Sequence, residues 1–204
     1  MSDHETKQFW EDLYGQQAQV WSGRVNASLA VHVADLPAGR ALDLGCGEGA
    51  DALWLAEQDW TVTAVDISDT AVARARDEGQ RRGLVVDWRQ QDLAEALPAG
   101  PYDLVSAQFF QSPVTLPRVE VLRRAAAELA PDGRLLVVGH AAPPPWATHS
   151  PDPALMPSAD AVLSDLALGP EWEVLVAADV LRPATGPDGQ AAELLDSVVL
   201  LRRH

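Results

Sequence analysis

Positive charge is scarce in this sequence: 15 Lys plus Arg stand against 30 Asp plus Glu in 204 residues, a formal net charge of −15 at pH 7. Binding a polyanion relies on a basic surface that releases counterions, so the average field here repels DNA and RNA and no nucleic-acid partner is expected. The dense basic stretches, Arg74, Arg76, Arg81 and Arg82 in one run and Arg123-Arg124 in another, fall on helical patterns and read as solvated faces. Cysteine is scarcer still. A single Cys46 permits no intrachain disulfide, and the five histidines at 4, 32, 140, 149 and 204 show no compact metal-ligand spacing, so no metal is expected. No apolar run approaches bilayer length, so no membrane partner is expected either. The start, Met-Ser-Asp-His-Glu-Thr-Lys, has neither the basic nor the apolar region of a secretory signal, which makes the cytoplasm the expected compartment.

What is present is one domain over residues 1–204, with 47% hydrophobic residues and no internal repeat or linker. Its centre is Arg40 to Ala50, Arg-Ala-Leu-Asp-Leu-Gly-Cys-Gly-Glu-Gly-Ala, where a short apolar run enters three glycines and a helical pattern follows at once. Glycines suit a sharp turn against which a ligand lies without an intervening Cβ, and the amides at the helix start serve as donors. Gly45-x-Gly47-x-x-Ala50 also satisfies the dinucleotide fingerprint. Carboxylates at Asp43 and Glu48 favour instead a ligand carrying an ammonium and a sulfonium, because they repel a pyrophosphate.

In chain order, Phe9, Trp10, Leu13 and Tyr14 have helical spacing over residues 5–14, and Asn26 is placed to cap a second helix reaching about Leu36. Residues 1–36 read as a helical lid segment and 40–204 as the core. A helix from Ala50 to Gln58 leads to Thr61–Asp66, a β-branched run ending in a carboxylate 21 residues after the first glycine, the distance at which an acidic strand end accepts both hydroxyls of a ribose. Ser68 or Asp69 caps a helix stopped by Gly83. Strands follow at 84–89, 102–107 and 134–139, with a helix over 117–130 between the last two. Residues 140–157 carry six prolines and read as an irregular cover. A short helix over 159–168 and two strand patterns, 172–181 and 193–202, close the chain as a hairpin.

The segment Leu42-Asp43-Leu44-Gly45-Cys46-Gly47-Glu48-Gly49 resembles the first motif of the class I S-adenosylmethionine (SAM) dependent methyltransferases. The order of elements agrees, and Trp21-Ser22-Gly23-Arg24 resembles the small thiopurine and tellurite-resistance-type members. The resemblance implies an α/β Rossmann-like fold: a mostly parallel seven-stranded sheet, a C-terminal antiparallel hairpin, and helices on both faces. It implies SAM as cofactor, S-adenosylhomocysteine (SAH) as product, and a binding set of Trp21, Arg24, Asp43, Gly45, Cys46, Gly47, Asp66, Ile67, Asp92, Leu93 and Gln108. Asp92 then stands near the adenine amino group, and Gln108-Phe109-Phe110-Gln111 on the acceptor side.

Methyl transfer from a sulfonium is an in-line displacement from an activated donor, so position does most of the work. Neither the Asn/Asp-Pro-Pro-aromatic signature of nucleic-acid base methylation nor the paired glutamates of protein arginine methylation is present, which favours a small-molecule acceptor. A soft nucleophile such as a thiol or selenol needs no strong base. Phe109, Phe110 and Trp146 are available as an apolar wall. His140, at the end of the fifth strand, and Gln108 are the candidates for acceptor contact, and His140→Ala is expected to cost little. A nicotinamide-dependent oxidoreductase and a non-catalytic SAM- or SAH-binding protein are the alternatives. The oligomeric state is left open.

Overall fold

The computed structural model describes residues 3–147 and 152–204; residues 148–151, with His149 and part of the expected irregular cover, lie outside them. Arg40–Leu44 (β1), Thr61–Asp66 (β2), Asp87–Gln90 (β3), Tyr102–Gln108 (β4), Leu129–His140 (β5), Trp172–Thr185 (β6) and Ala191–Arg203 (β7) form one sheet in the order β3-β2-β1-β4-β5-β7-β6. The first five strands run parallel, and β7 pairs antiparallel with both β5 and β6. Apolar runs are buried on both faces of such a sheet because crossover helices cover each side.

Alternation along the strands divides the core into two layers. Leu42, Leu44, Val105, Leu135 and Val137 face the helices Arg118–Ala127 (α5) and Ala159–Leu166 (α6), whereas Ala41, Leu104, Leu136, Val138, Val198 and Leu200 face Ala27–Val33 (α2) and Ala50–Glu57 (α3). Asp69–Arg82 (α4) follows β2, and Asp3–Gly15 (α1) lies against it. Lys7 Nζ donates to Asp69 Oδ2 at 2.7 Å, and Glu11 accepts from the Asp69 amide and from Thr70 Oγ1.

Several boundaries differ from the sequence reading for local reasons. α4 ends in a Schellman arrangement in which Gly83 (φ 69°) donates to the Gln80 carbonyl and Leu84 to that of Gly79. Residues 83 and 84 are thus used in closing the helix, and β3 starts only at Asp87. α2 stops at Val33, three residues short of Leu36, as Leu36 N donates to the Val33 carbonyl in a tightened turn before Pro37. Asn26 stands at the N-cap of α2 without capping it, since its side chain donates to Asp51 Oδ2 at 2.6 Å. β5 begins at Leu129, ahead of the Pro131-Asp132-Gly133 turn, which is accommodated as a register irregularity against β4. Of the basic runs, Arg76, Arg81, Arg82 and Arg123 are exposed as expected, whereas Arg74 and Arg124 are half-buried, Arg74 donating to Glu48 and Arg124 to the Leu93 carbonyl; Arg123 also donates to the Leu166 and Asp165 carbonyls. No described helix is long and apolar enough to cross a membrane.

Candidate functional site

The strand order places β1 between β2 and β4, and chain crossovers leave it in opposite directions, so a crevice opens at the carboxyl ends of these strands. The glycine loop lies there. Gly45 (φ 67°) and Gly47 (φ 53°) adopt backbone that a side chain disfavours. A Cβ on Gly45 would stand 2.7 Å from the Phe110 ring, and one on Gly47 would stand 2.9 Å from Tyr14 Oη. Phe110 from one side, and Tyr14 with Trp21 from the other, thus lie directly against the loop.

Asp66 ends β2 and fastens the loop: its carboxylate accepts from the Gly47 amide at 2.8 Å and from the Ser68 amide at 2.9 Å. Each oxygen keeps a further lone pair, so both remain able to accept from a ligand hydroxyl. Burial pushes the Asp66 carboxyl up, against the lowering effect of those two amides. Asp43 at the end of β1 is 2% exposed, its Oδ2 has no hydrogen-bond partner, and burial together with Asp51 and Asp66 raises its pKa well above the carboxylate range. Cys46 is half-buried, and desolvation first, then the charges of Asp66 and Asp43, push its thiol up and keep it protonated. It is therefore no nucleophile.

Asp43 pairs in register with Ser106 of β4, and Gln108 is two residues further along the same face. Gln108 Nε2 donates to Ser106 Oγ at 3.1 Å while its Oε1, also buried, has no partner. Two orphaned acceptors, Asp43 Oδ2 and Gln108 Oε1, thus stand on adjacent strands beside the glycine loop. They call for a donor-bearing, positively charged group. An ammonium meets that need and a pyrophosphate, which offers only acceptors, does not.

The N-terminal segment lies over the loop through one carboxylate. Glu48 accepts from Val20 N at 3.0 Å, from Trp21 N at 2.9 Å and from Arg74 Nη1 at 2.9 Å, while Arg74 Nη2 donates to the Tyr14 carbonyl. Glu48 is thereby engaged with protein donors, which corrects the expectation that its charge faces the ligand. Trp21 is 51% exposed and donates from Nε1 to Tyr14 Oη at 3.0 Å. Burial, then the Asp66 charge, pushes the Tyr14 phenol far up, so it stays neutral. Arg24 follows between Trp21 over Gly47 and Asn26 on Asp51. It is exposed, and its guanidinium is in no hydrogen bond or ion pair among the described residues.

Of the remaining residues expected to bind, Ile67 is half-buried with its carbonyl held by Gln90, and Asp92 is half-buried with Oδ1 accepting from Ala94 N. Leu93 departs from the group. Its side chain is buried in the core and its carbonyl accepts from Arg124. His140 ends β5, as expected, and its neighbours are ones that spacing did not indicate. Its Nδ1 stands 3.1 Å from Asp196 Oδ1, its ring centroid is 4.5 Å from that of Phe109, and Arg182 Nε donates to Asp196 Oδ2 at 2.6 Å. Asp196 had a signal in the sequence, a lone carboxylate inside the apolar strand Leu194 to Leu201. Among the described residues, no cluster of three or more His, Cys, Asp or Glu is arranged to hold a metal ion.

Comparison with known proteins agrees with this geometry. A family model described as a methyltransferase domain matches residues 41–133. That match covers rather less than half of the chain, the stretch that carries the glycine loop, Asp66 and Asp92, so over these residues the chain is similar to a methyltransferase domain. Among curated relatives, the chain is 37% identical over 110 residues to ribosomal RNA small subunit methyltransferase C of Chromohalobacter salexigens, covering 52% of this chain and 33% of that one. It is 38% identical over 102 residues to a ubiquinone biosynthesis O-methyltransferase of Caulobacter sp., covering 48% and 39%. To thiocyanate methyltransferase 1 of Arabidopsis thaliana it is 27% identical over 148 residues, covering 67% and 65%. The chain thus spans from about a third to two thirds of these relatives' lengths.

Solved structures agree over more of the chain. One concerned with the conversion of a disulfide bond into a thioacetal group during echinomycin biosynthesis superposes with a TM-score of 0.76 at 22% identity, covering 98% of this chain and 93% of that one. TehB from Haemophilus influenzae gives 0.71 at 16% identity, covering 98% and 67%. Magnesium protoporphyrin IX methyltransferase from Synechocystis PCC 6803 with bound SAH gives 0.60 at 20% identity, covering 96% and 92%. These likenesses carry the fold.

Proposed function

We propose that the protein transfers a methyl group from SAM to a small, soft nucleophile such as a thiol or selenol, with in-line positioning as its main contribution. The observation that carries the reading is the pair of orphaned acceptors beside the glycine loop, Asp43 Oδ2 and Gln108 Oε1. They suit the ammonium end of SAM, while Asp66 takes the ribose hydroxyls, the Asp92 carboxylate meets the adenine amino group, and Arg24 reaches the methionine carboxylate. Bound there, SAM supplies an activated methyl on a sulfonium. The chain holds it beneath Tyr14, Trp21 and Phe110 and excludes water, and alignment of this kind lowers a barrier by several kcal/mol.

A small acceptor is favoured over RNA by the net charge of −15 and by the internal engagement of Arg74, Arg123 and Arg124. The apolar ring of Phe110 beside the loop favours a soft acceptor, and so does the relative named for thiocyanate.

Calorimetric competition tests the site: SAM and SAH bind and displace each other, and NAD displaces neither. Displacement by NAD overturns the reading in favour of an oxidoreductase. SAH release in the presence of a small thiol separates an enzyme from a protein that only binds the nucleoside. Arg24→Lys keeps the charge but loses the planar fork that grips a carboxylate with two hydrogen bonds. SAM affinity is expected to fall about tenfold, near 1.4 kcal/mol, and unchanged affinity removes Arg24 from the site.

A further inference from the structure

The polar residues on one face of the sheet continue beyond the SAM crevice. Asp43 on β1, Ser106 and Gln108 on β4, His140 on β5, and Asp196 on β7 all share the face whose apolar members pack toward α2 and α3. Gln108 pairs with Val138, two residues before His140 on the same face, and His140 pairs directly across the ladder with Asp196. Phe110 lies against Gly45 while its neighbour Phe109 stacks on His140. The imidazole therefore stands on the strand beside Gln108, at the same carboxyl edge of the sheet as the glycine loop.

Its tautomer follows from the partners. Arg182 donates to Asp196 Oδ2, and although burial opposes ionisation of Asp196, the hydrogen bonds from His140 and Arg182 outweigh it and hold its pKa below the usual range. An ionised carboxylate only accepts, so Nδ1 of His140 is the donor and, in the neutral ring, the free lone pair is on Nε2. Nε2 has no partner among the described residues, and 37% of the side chain is exposed. Gln111 fixes the backbone at this point, accepting from His140 N at 2.7 Å and donating to the His140 carbonyl at 3.1 Å. Among the described residues, the charged groups facing the ring are Asp196 from β7 and Arg182 from β6; β4 and its loop contribute the uncharged Phe109 and Gln111.

We propose that His140 Nε2 is the general base for a thiol acceptor, with Asp196 and Arg182 as positioning residues. This deepens the proposed function and rests on it. As the thiol sulfur forms its bond to the methyl carbon, the carbon–sulfonium bond breaks with its electron pair going to the departing thioether. The thiol proton passes to Nε2, giving an imidazolium that Asp196 stabilises and that later releases the proton to water. On this proposal His140→Ala costs more than the sequence alone leads one to expect.

The test measures SAH release with two probe thiols, benzyl mercaptan, which is mostly protonated at neutral pH, and 4-nitrobenzenethiol, which is already a thiolate. His140→Ala is expected to lower kcat for benzyl mercaptan by about 10² to 10⁴-fold, with added imidazole restoring part of it, and to leave 4-nitrobenzenethiol within about threefold. Equal losses for both thiols, or none for either, overturn the proposal while leaving SAM binding and the proposed function intact.

A nitrogen-15 NMR spectrum of the wild-type imidazole gives a readout independent of turnover. Nδ1–H is expected, and an Nε2–H tautomer overturns the dyad even where neither thiol is methylated. A wild type that fails to bind SAM in calorimetry overturns the site reading and the inference with it.

Discussion

Asp43→Asn is expected to act in opposite directions on the ligand-free protein and on its complex. In the free protein Asp43 is 2% exposed with one oxygen unpartnered, and Asp51 and Asp66 add like charge. Its folded pKa is raised above the unfolded value, so the stability linked to this group is fully present below the ordinary carboxylate pKa and is lost as pH rises through the folded value. At neutral pH the ligand-free protein therefore carries a penalty, and the neutral asparagine relieves it.

An orphaned buried group costs about 1 to 3 kcal/mol, and for a chain of this size each kcal/mol moves Tm by about 2–4 °C. Tm of the free variant should rise by several degrees at pH 7, with the gain shrinking as the pH is lowered. SAM affinity should fall by about one to two decades, since a charge-assisted hydrogen bond to an ammonium contributes about 1.5 to 3 kcal/mol. Scanning calorimetry and titration calorimetry check the two halves. A variant that is less stable and binds SAM as tightly as the wild type shows that Asp43 is structural.

Asp66→Ala is expected to lower affinity for SAM and SAH by at least one to two decades, because two ribose hydroxyls lose their acceptor at about 1 to 3 kcal/mol. Asp66 also holds the loop, accepting from the amides of Gly47 and Ser68. Those two amides are buried and protected in the wild type, and hydrogen exchange should show them opening in the variant before any global unfolding. Together the two measurements separate a ligand contact from a loop fastener. Unchanged affinity in calorimetry rejects the ribose assignment whatever the exchange shows, and unchanged exchange with lost affinity leaves only the ligand contact.

The two substitutions also distinguish the carboxylates from each other. Asp66 has protein donors on both oxygens, which offset part of the cost of its burial, and Asp43 lacks one on Oδ2, so the larger gain in stability on neutralisation is expected at Asp43.

The sequence by itself determined the architecture and the glycine loop, because these are local or periodic. Two-sided apolar strands, Ser68 and Gly83 at the ends of α4, and glycines where φ is positive each impose their consequence within a few residues. Asp43 and Asp66 were legible for the same reason, as carboxylates at strand ends next to that loop.

Only the tertiary structure decided what the charged side chains face. Glu48 looked like a ligand-facing carboxylate and instead secures Val20 and Trp21, and Arg74 looked solvated and instead pairs with Glu48. Asn26 looked like a helix cap and serves Asp51. His140 and Asp196 are 56 residues apart and meet only because β7 returns antiparallel beside β5 in one register. A one-residue slip would turn Asp196 to the opposite face of the sheet. Spacing along the chain carries no record of that register, since it is set by how the apolar faces of two distant strands fill the same layer of the core.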